Sequence, residues 1–314
     1  MAVGLTAVSI VYFALAVGLA DAVELRDAKG RTVAVRDPSR IVSIGGALTE
    51  ILYALGLEAR IVGVDTTSLY PERALKEKPN VGYMRALSPE GVLSLAPSLV
   101  LAVEGSGPKG TIAVLEAARV PFALVPDPHT GEGIVEKIRI VAQAAGTPEH
   151  GECLAASVRA DLDALASVRG RIGRPARVMF VMSFMNGRAM VAGRNTAADG
   201  VIKLAGGENA IGDYEGYKPI SDEAVIASRP DAVLVMKRRM DSLSAADVFG
   251  HAAFAMTPAA QSKSFVSMDG LYLLGFGPRT ALAARDLAHA LYPAIEAEAL
   301  PSEHGIRIGD KCRK

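Results

Sequence analysis

Leu87-Ser88-Pro89-Glu90-Gly91-Val92-Leu93-Ser94-Leu95-Ala96-Pro97-Ser98-Leu99-Val100-Leu101 reads as a short capped helix, a proline break and a buried strand. The same reading returns at Ile220-Ser221-Asp222-Glu223-Ala224-Val225-Ile226-Ala227-Ser228-Arg229-Pro230-Asp231-Ala232-Val233-Leu234. In each, a serine sits at the N-cap. The acid two residues on, Glu90 or Glu223, stands in the first turn, where the helix dipole favours negative charge. Ser, Glu, Pro and the apolar positions matching together point to an internal duplication.

A second pair of segments agrees. Arg40-Ile41-Val42-Ser43-Ile44 reads as a strand, followed by a Gly-rich turn and a helix from Glu50 to Leu55, opened by Thr49 and closed by Gly56. Arg177-Val178-Met179-Phe180-Val181 reads as a strand, followed by a Gly-containing loop and a helix opened by Thr196 and closed by Gly206-Gly207. Each is a βα unit. Between the halves, Leu154, Val158, Leu162, Leu165 and Val168 recur at helical spacing and mark one amphipathic helix. The expected fold class is α/β, with two similar α/β lobes joined by a single long α-helix and a ligand cleft between the lobes. The expected limits are an N-terminal lobe at 23–148, a linker helix at 149–174 and a C-terminal lobe at 175–314. A single stiff helix predicts a cleft that closes little.

Composition narrows the function. The 34 Lys+Arg balance 34 Asp+Glu with no basic block, which argues against nucleic acid as a partner, because phosphate backbones demand clustered cations. Two cysteines, Cys153 and Cys312, exclude a Cys-rich zinc site. They are free to pair in an oxidising compartment, although no spacing fixes their distance. The five histidines show no metal-ligand spacing. No nucleophile elbow or cofactor fingerprint occurs, so no enzyme is expected.

Residues 1–22 read as a signal peptide. The apolar run from Val3 to Leu19 ends in Ala20-Asp21-Ala22, a small-x-small cleavage pattern. No Lys or Arg precedes that run, and a retained membrane anchor is the competing reading.

Arg40-Ile41-Val42-Ser43-Ile44-Gly45-Gly46, Thr49-Glu50 and Gly82-Tyr83-Met84-Arg85-Ala86-Leu87-Ser88-Pro89-Glu90-Gly91 resemble the haem-binding periplasmic proteins of bacterial haem ABC importers. Val191–Asp199, Leu204–Gly207, Gly216-Tyr217-Lys218-Pro219 and Leu274–Arg279 carry the resemblance onward, so that it spans Asp37 to Pro293. It implies a periplasmic monomer that binds haem b as cargo and delivers it to the membrane permease subunits of an ABC transporter. An outer-membrane haem receptor would stand upstream. Cobalamin or a ferric siderophore on the same fold is the alternative.

The resemblance also implies that Tyr83 is the axial ligand of the haem iron. The chemistry is sound, since ferric iron is a hard acid and phenolate is a known haem ligand. Arg85, two residues on, is expected on the same side of an extended segment, favouring the anion by charge and hydrogen bonding. Some relatives have a histidine in the loop after the strand equivalent to Arg177–Met182. Here the loop reads Ser183-Phe184-Met185-Asn186-Gly187-Arg188, which favours a five-coordinate site over a stacked haem pair. Phe184 and Met185 read as apolar lining for the porphyrin face. In Lys237-Arg238-Arg239, Arg238 and Arg239 are the candidates for the propionates. Arg188, Arg194, Tyr217, Lys218 and Arg279 are second choices. Glu90 and Glu223 lie too far apart for paired carboxylate catalysis. In the wider class of rigid-linker binding proteins, acids at such positions dock onto basic residues of the transporter. A purely local role at each helix start is the other reading.

Overall fold

The computed structural model describes residues 22–238, 242–295 and Cys312. Arg239 and all but the last residue of the expected signal peptide lie outside the described residues.

An antiparallel hairpin of β1 (Val23–Arg26) and β2 (Thr32–Val35) precedes the first lobe. There β3 (Ile41–Ile44), β4 (Ile61–Val64), β5 (Leu99–Val103) and β6 (Phe122–Val125) form a parallel sheet in the order β4-β3-β5-β6. β3, β5 and β6 are buried along their whole length. Their continuous apolar runs are what a parallel sheet covered on both faces requires. The helices are α1 (Gly46–Ala54), α2 (Arg73–Glu77), α3 (Pro89–Leu93), α4 (Lys109–Ala117) and α5 (Gly131–Ala144). Thr49 does not open α1, which starts three residues earlier. Instead Thr49 is buried inside it, with its hydroxyl bonded to Ser43 and Ser68.

The long helix between the lobes is α6 (Pro148–Arg169), which packs along α5. It begins with Pro at the first turn, where a missing N–H costs nothing, and stops at Gly170, short of 174. Cys153 on α6 is disulfide-bonded to Cys312, with 5.6 Å between their Cα atoms.

The second lobe follows the same βα plan with additions. Its strands are β7 (Arg177–Met185), β8 (Arg188–Ala192), β9 (Glu208–Asn209), β10 (Tyr217–Pro219), β11 (Ala232–Lys237) and β12 (Phe265–Asp269). They lie in the order β10-β8-β7-β11-β12, with β9 beside β7. β7, β11 and β12 are parallel, whereas β8 runs antiparallel to both of its neighbours, β7 and β10. The helices are α7 (Ala197–Leu204), α8 (Asp222–Ser228), α9 (Ala245–Phe249), α10 (Ala252–Ala255), α11 (Pro258–Gln261), α12 (Gly270–Leu274) and α13 (Thr280–Leu291).

The duplicated caps are real. The Ser88 hydroxyl accepts from the Gly91 N–H at 3.2 Å, and Ser221 accepts from Ala224 at 3.3 Å. The expected loop at 183–188 is instead a hairpin. Asn186 and Gly187 both adopt positive φ, 50° and 75°, the two-residue turn that joins antiparallel strands. Among the described residues, no helix is long and apolar enough to cross a membrane.

The lobes meet along a polar seam. Arg279, at the start of α13, makes a bidentate pair with the buried Glu50 of α1, at 3.0 and 2.9 Å. Lys137 of α5 is fully buried, paired with Asp127, and donates to the Phe276 carbonyl of the other lobe at 2.9 Å.

Candidate ligand cleft

The cleft opens between the lobes at the carboxyl ends of their parallel strands, where side chains and loops of an α/β sheet converge on ligands. β3 delivers Gly45 and Gly46, β5 Val103 and Glu104, β11 Met236 to Arg238, and β12 Asp269. Gly46 cannot be larger, because an added Cβ would lie 2.3 Å from the Thr67 carbonyl oxygen. The cavity measures about 1140 Å³. Ordinary small-molecule sites run to roughly 300–1,000 Å³, so the space suits a large ligand.

Tyr83 lines the cleft and is 44 % exposed. Residues 79–82 extend the sheet beside β4, through the Val64 N–H to the Pro79 carbonyl and the Val81 N–H to the Val64 carbonyl. Gly82, at φ 97°, then breaks the extended path. The Ala86 N–H donates to the Tyr83 carbonyl at 2.7 Å, so Tyr83 to Ala86 is a tight turn. The expected extended segment is therefore absent, and alternation does not set the direction of Arg85. Both side chains nonetheless line the cleft. The turn is tied to the neighbouring loop by the Gly107 N–H donating to the Met84 carbonyl and the Leu87 N–H to the Gly107 carbonyl.

Arg238 also lines the cleft, next to Lys237 at the end of β11. Arg85 and Arg238 form no salt bridge among the described residues. Arg279 reaches the cleft wall, but Glu50 holds its guanidinium, which also lies 3.5 Å from the Tyr70 ring centroid and 5.2 Å from that of Tyr272. It is a link between lobes rather than a cation awaiting a ligand. Arg188, Arg194 and Lys218 are not among the cleft residues; Lys218 covers the Tyr214 ring at 4.9 Å.

Phe184 and Met185 do not line the cleft. A register shift between Val181 and Ser183 breaks the alternation of β7. Met182 faces the cleft, while Phe184 stacks on His251 at 5.3 Å and meets Phe254 edge-on. Met185 stands 53 % exposed near the hairpin tip. The second lobe's apolar lining comes from Met182, Met236, Leu271 and Leu274 instead.

His129 lines the cleft floor edge-on to Phe276, at 5.1 Å. Burial holds its imidazole below the ordinary histidine value, against the pull of Asp127. Tyr217 lines the second-lobe side, where burial raises its phenol; the Ala198 amide, the Thr196 hydroxyl and the charge of Arg85 oppose that rise. Tyr70, Tyr272 and Asp127 complete a rim that local sequence gave no reason to single out. Met236 was accessible to sequence reasoning, since it precedes Lys237-Arg238 at a strand's carboxyl end.

Glu90 and Glu223 lie outside the cleft, exposed on the first turns of α3 and α8. The Ser88 hydroxyl donates to Glu90 at 2.7 Å and holds its carboxyl below the usual range. Glu223 is lowered by its own backbone N–H and by Ser221.

Residues 41–271 match the family described as Periplasmic binding protein. The chain belongs to that family. The fold is shared with RhuT, a periplasmic heme-binding protein from Roseiflexus sp. RS-1 solved in apo form. This chain is 44% identical to it, with 82% of this chain and 99% of RhuT covered and a TM-score of 0.77. It is 40% identical to BhuT, a periplasmic heme-binding protein solved in complex with two hemes, at the same coverages and TM-score. More distant relatives are an uncharacterized ABC transporter substrate-binding lipoprotein, YvrC of Bacillus subtilis, 27% identical over 86% of each chain, and a vitamin B12-binding protein of Yersinia pestis. The latter is 28% identical over 68% of this chain and 76% of its own.

Proposed function

We propose that this protein is a periplasmic carrier that binds haem in the inter-lobe cleft through a Tyr83 phenolate–iron bond and delivers it to an ABC transporter, catalysing no reaction. The observation that carries the reading is Tyr83 itself. It is a half-exposed phenol on a doubly anchored turn, opening into a cleft with apolar second-lobe walls and with Arg85 on the same turn. A porphyrin face needs the apolar wall, and a hard ferric ion needs the anionic oxygen.

Arg238, with Lys237 beside it, is the second-lobe cation proposed for a propionate, because guanidinium matches carboxylate geometry. The exposed carboxylates of Glu90 and Glu223, one on each lobe, are proposed to meet basic residues of the permease subunits and fix the orientation of docking. The Cys153–Cys312 disulfide supports export to an oxidising compartment, where such bonds persist. The heme-binding names of RhuT and BhuT favour haem. The B12-binding relative keeps cobalamin as the second reading.

Haem titration followed by optical spectroscopy tests the proposal. The wild type is expected to give a high-spin ferric tyrosinate spectrum with an endpoint at one haem per chain, since residues 183–188 include no histidine. Tyr83→Phe is expected to lose the tyrosinate charge-transfer band. An unchanged spectrum in that variant removes Tyr83 from the iron, and cobalamin binding in place of haem overturns the cargo.

A further inference from the structure

We propose that Asp65, a buried carboxylate outside the cleft lining, is a positioning residue for Tyr83. It shapes the turn after β4 whose backbone holds Gly82, and so sets the placement of the phenol that follows. The inference rests on the reading of Tyr83 as the iron ligand.

Asp65 directly follows β4 and is fully buried. Donors converge on it from three segments. Its Oδ1 accepts the Gly45 N–H at 2.9 Å and the Ser68 hydroxyl at 3.1 Å. Its Oδ2 accepts the Thr67 N–H at 3.0 Å and the Thr67 hydroxyl at 2.8 Å. The Thr67 hydroxyl in turn accepts the Gly46 N–H at 2.9 Å. Behind Ser68 stand the hydroxyls of Thr49, at 2.7 Å, and then Ser43, at 2.8 Å from Thr49. A hydroxyl has one proton to give, so with Ser68 donating to the carboxylate the chain runs from Ser43 through Thr49 and Ser68 to Asp65. That convergence requires a group that only accepts. An ionised Asp is such a group, and Asn is not.

All of these donors are neutral, and burying a carboxylate without a counter-ion is costly. What the charge secures is geometry. Its bonds to Thr67 and Ser68, with the Ser68 N–H donating to the Asp65 carbonyl at 3.1 Å, fold 65–68 into an Asx-type turn. Inside that turn the Thr66 N–H donates to the Gly82 carbonyl at 2.9 Å. The Gly82 N–H is held from the other side by the Asn80 side chain, at 2.8 Å. Gly82, at positive φ, is where the chain swings into the turn that carries Tyr83. Asp65 thus acts on Tyr83 through Thr66 and Gly82 while standing outside the lining itself. Because it also holds Gly45, the start of α1 and the Tyr83 turn share one anchor.

The test titrates haem into wild type, Asp65→Asn and Phe184→Ala, recording the optical spectrum and the urea unfolding of each. Asn keeps the shape of the side chain but turns an amide N–H toward the converging donors. Asp65→Asn is expected to bind haem about 10-fold more weakly, and its tyrosinate charge-transfer band is expected to shift or split as the phenol loses its single placement. Phe184→Ala loses packing outside the cleft lining. It is expected to unfold more easily with the wild-type band, so that lost stability by itself is seen not to move the band. Asp65→Asn with wild-type affinity and band overturns the proposal, as does weakened binding with an unmoved band, which would mark a structural role only. If Asp65→Asn does not fold, Ser68→Ala decides. It removes one donor to the carboxylate at a buried site outside the lining, and a smaller shift of the same kind is expected; an unmoved band there overturns the proposal. A wild type without a tyrosinate band rejects Tyr83 as the ligand before any variant is compared.

Discussion

His129 shows how burial changes the role of one side chain. In the sequence it is a polar turn residue in Asp-Pro-His-Thr; in the fold it closes the cleft floor against Phe276. Its carbonyl sits where an added Cβ on Gly200 would fall, 2.4 Å away, so that the two lobes touch at this point. Desolvation holds its imidazole neutral to lower pH than in the unfolded chain, whose value is near the ordinary 6.5. Between the two values the unfolded state binds more protons, so stability falls as pH drops from above 6.5 toward the folded value. Urea midpoints measured from about pH 7.5 to about 5.5 are expected to decline in the wild type and to decline less in His129→Gln. Equal slopes in both proteins would assign the acid sensitivity to other groups. Tyr83 and Arg85 make the complementary point. Their identity was legible from the motif, but the turn that presents them was not, because Gly82 and the Ala86 N–H replace the extended segment that alternation assumes.

At the scale of elements, the duplicated helix–strand units were readable because capping and burial are local. Ser88 with α3 and Ser221 with α8 need only neighbouring backbone N–H groups. The β7–β8 hairpin replaces the loop expected at Ser183–Arg188, and Asn186-Gly187 is its two-residue turn signal. The consequence concerns Phe184. It packs with His251 and Phe254 on the side of α10, outside the cleft lining. His251 in turn bonds the Gly187 carbonyl at 2.9 Å and steadies the hairpin tip. Phe184→Ala is therefore expected to cost on the order of 2 kcal/mol, less than the 3–5 kcal/mol of a fully buried ring. Haem affinity is expected to stay at the wild-type value. Urea unfolding beside a haem titration checks both; weakened haem binding at unchanged stability would return Phe184 to the cleft.

At the scale of the molecule, a polar seam joins the two lobes. Glu50 is buried, and its partner Arg279 comes from the opposite lobe. Removing the arginine leaves a carboxylate without its counter-charge. Arg279→Ala is expected to destabilise the protein by roughly 3 kcal/mol, while replacing both partners with apolar residues is expected to cost less. Urea unfolding of the single and double variants measures the difference. A single variant as stable as wild type would mean that the seam is not held by this pair. The seam was invisible beforehand, because Glu50 and Arg279 look like ordinary helix-terminal charges.

The sequence by itself determined the two-lobe plan, the helix between the lobes and the duplicated caps, each of which rests on periodicity or on contacts within a few residues; Tyr83 was singled out by the family resemblance. Tertiary structure alone decided which charges are spent on one another and which methionines face the cleft. Those depend on side chains brought together from distant parts of the chain. There the cost of burying an unpaired charge, rather than local propensity, selects the partners.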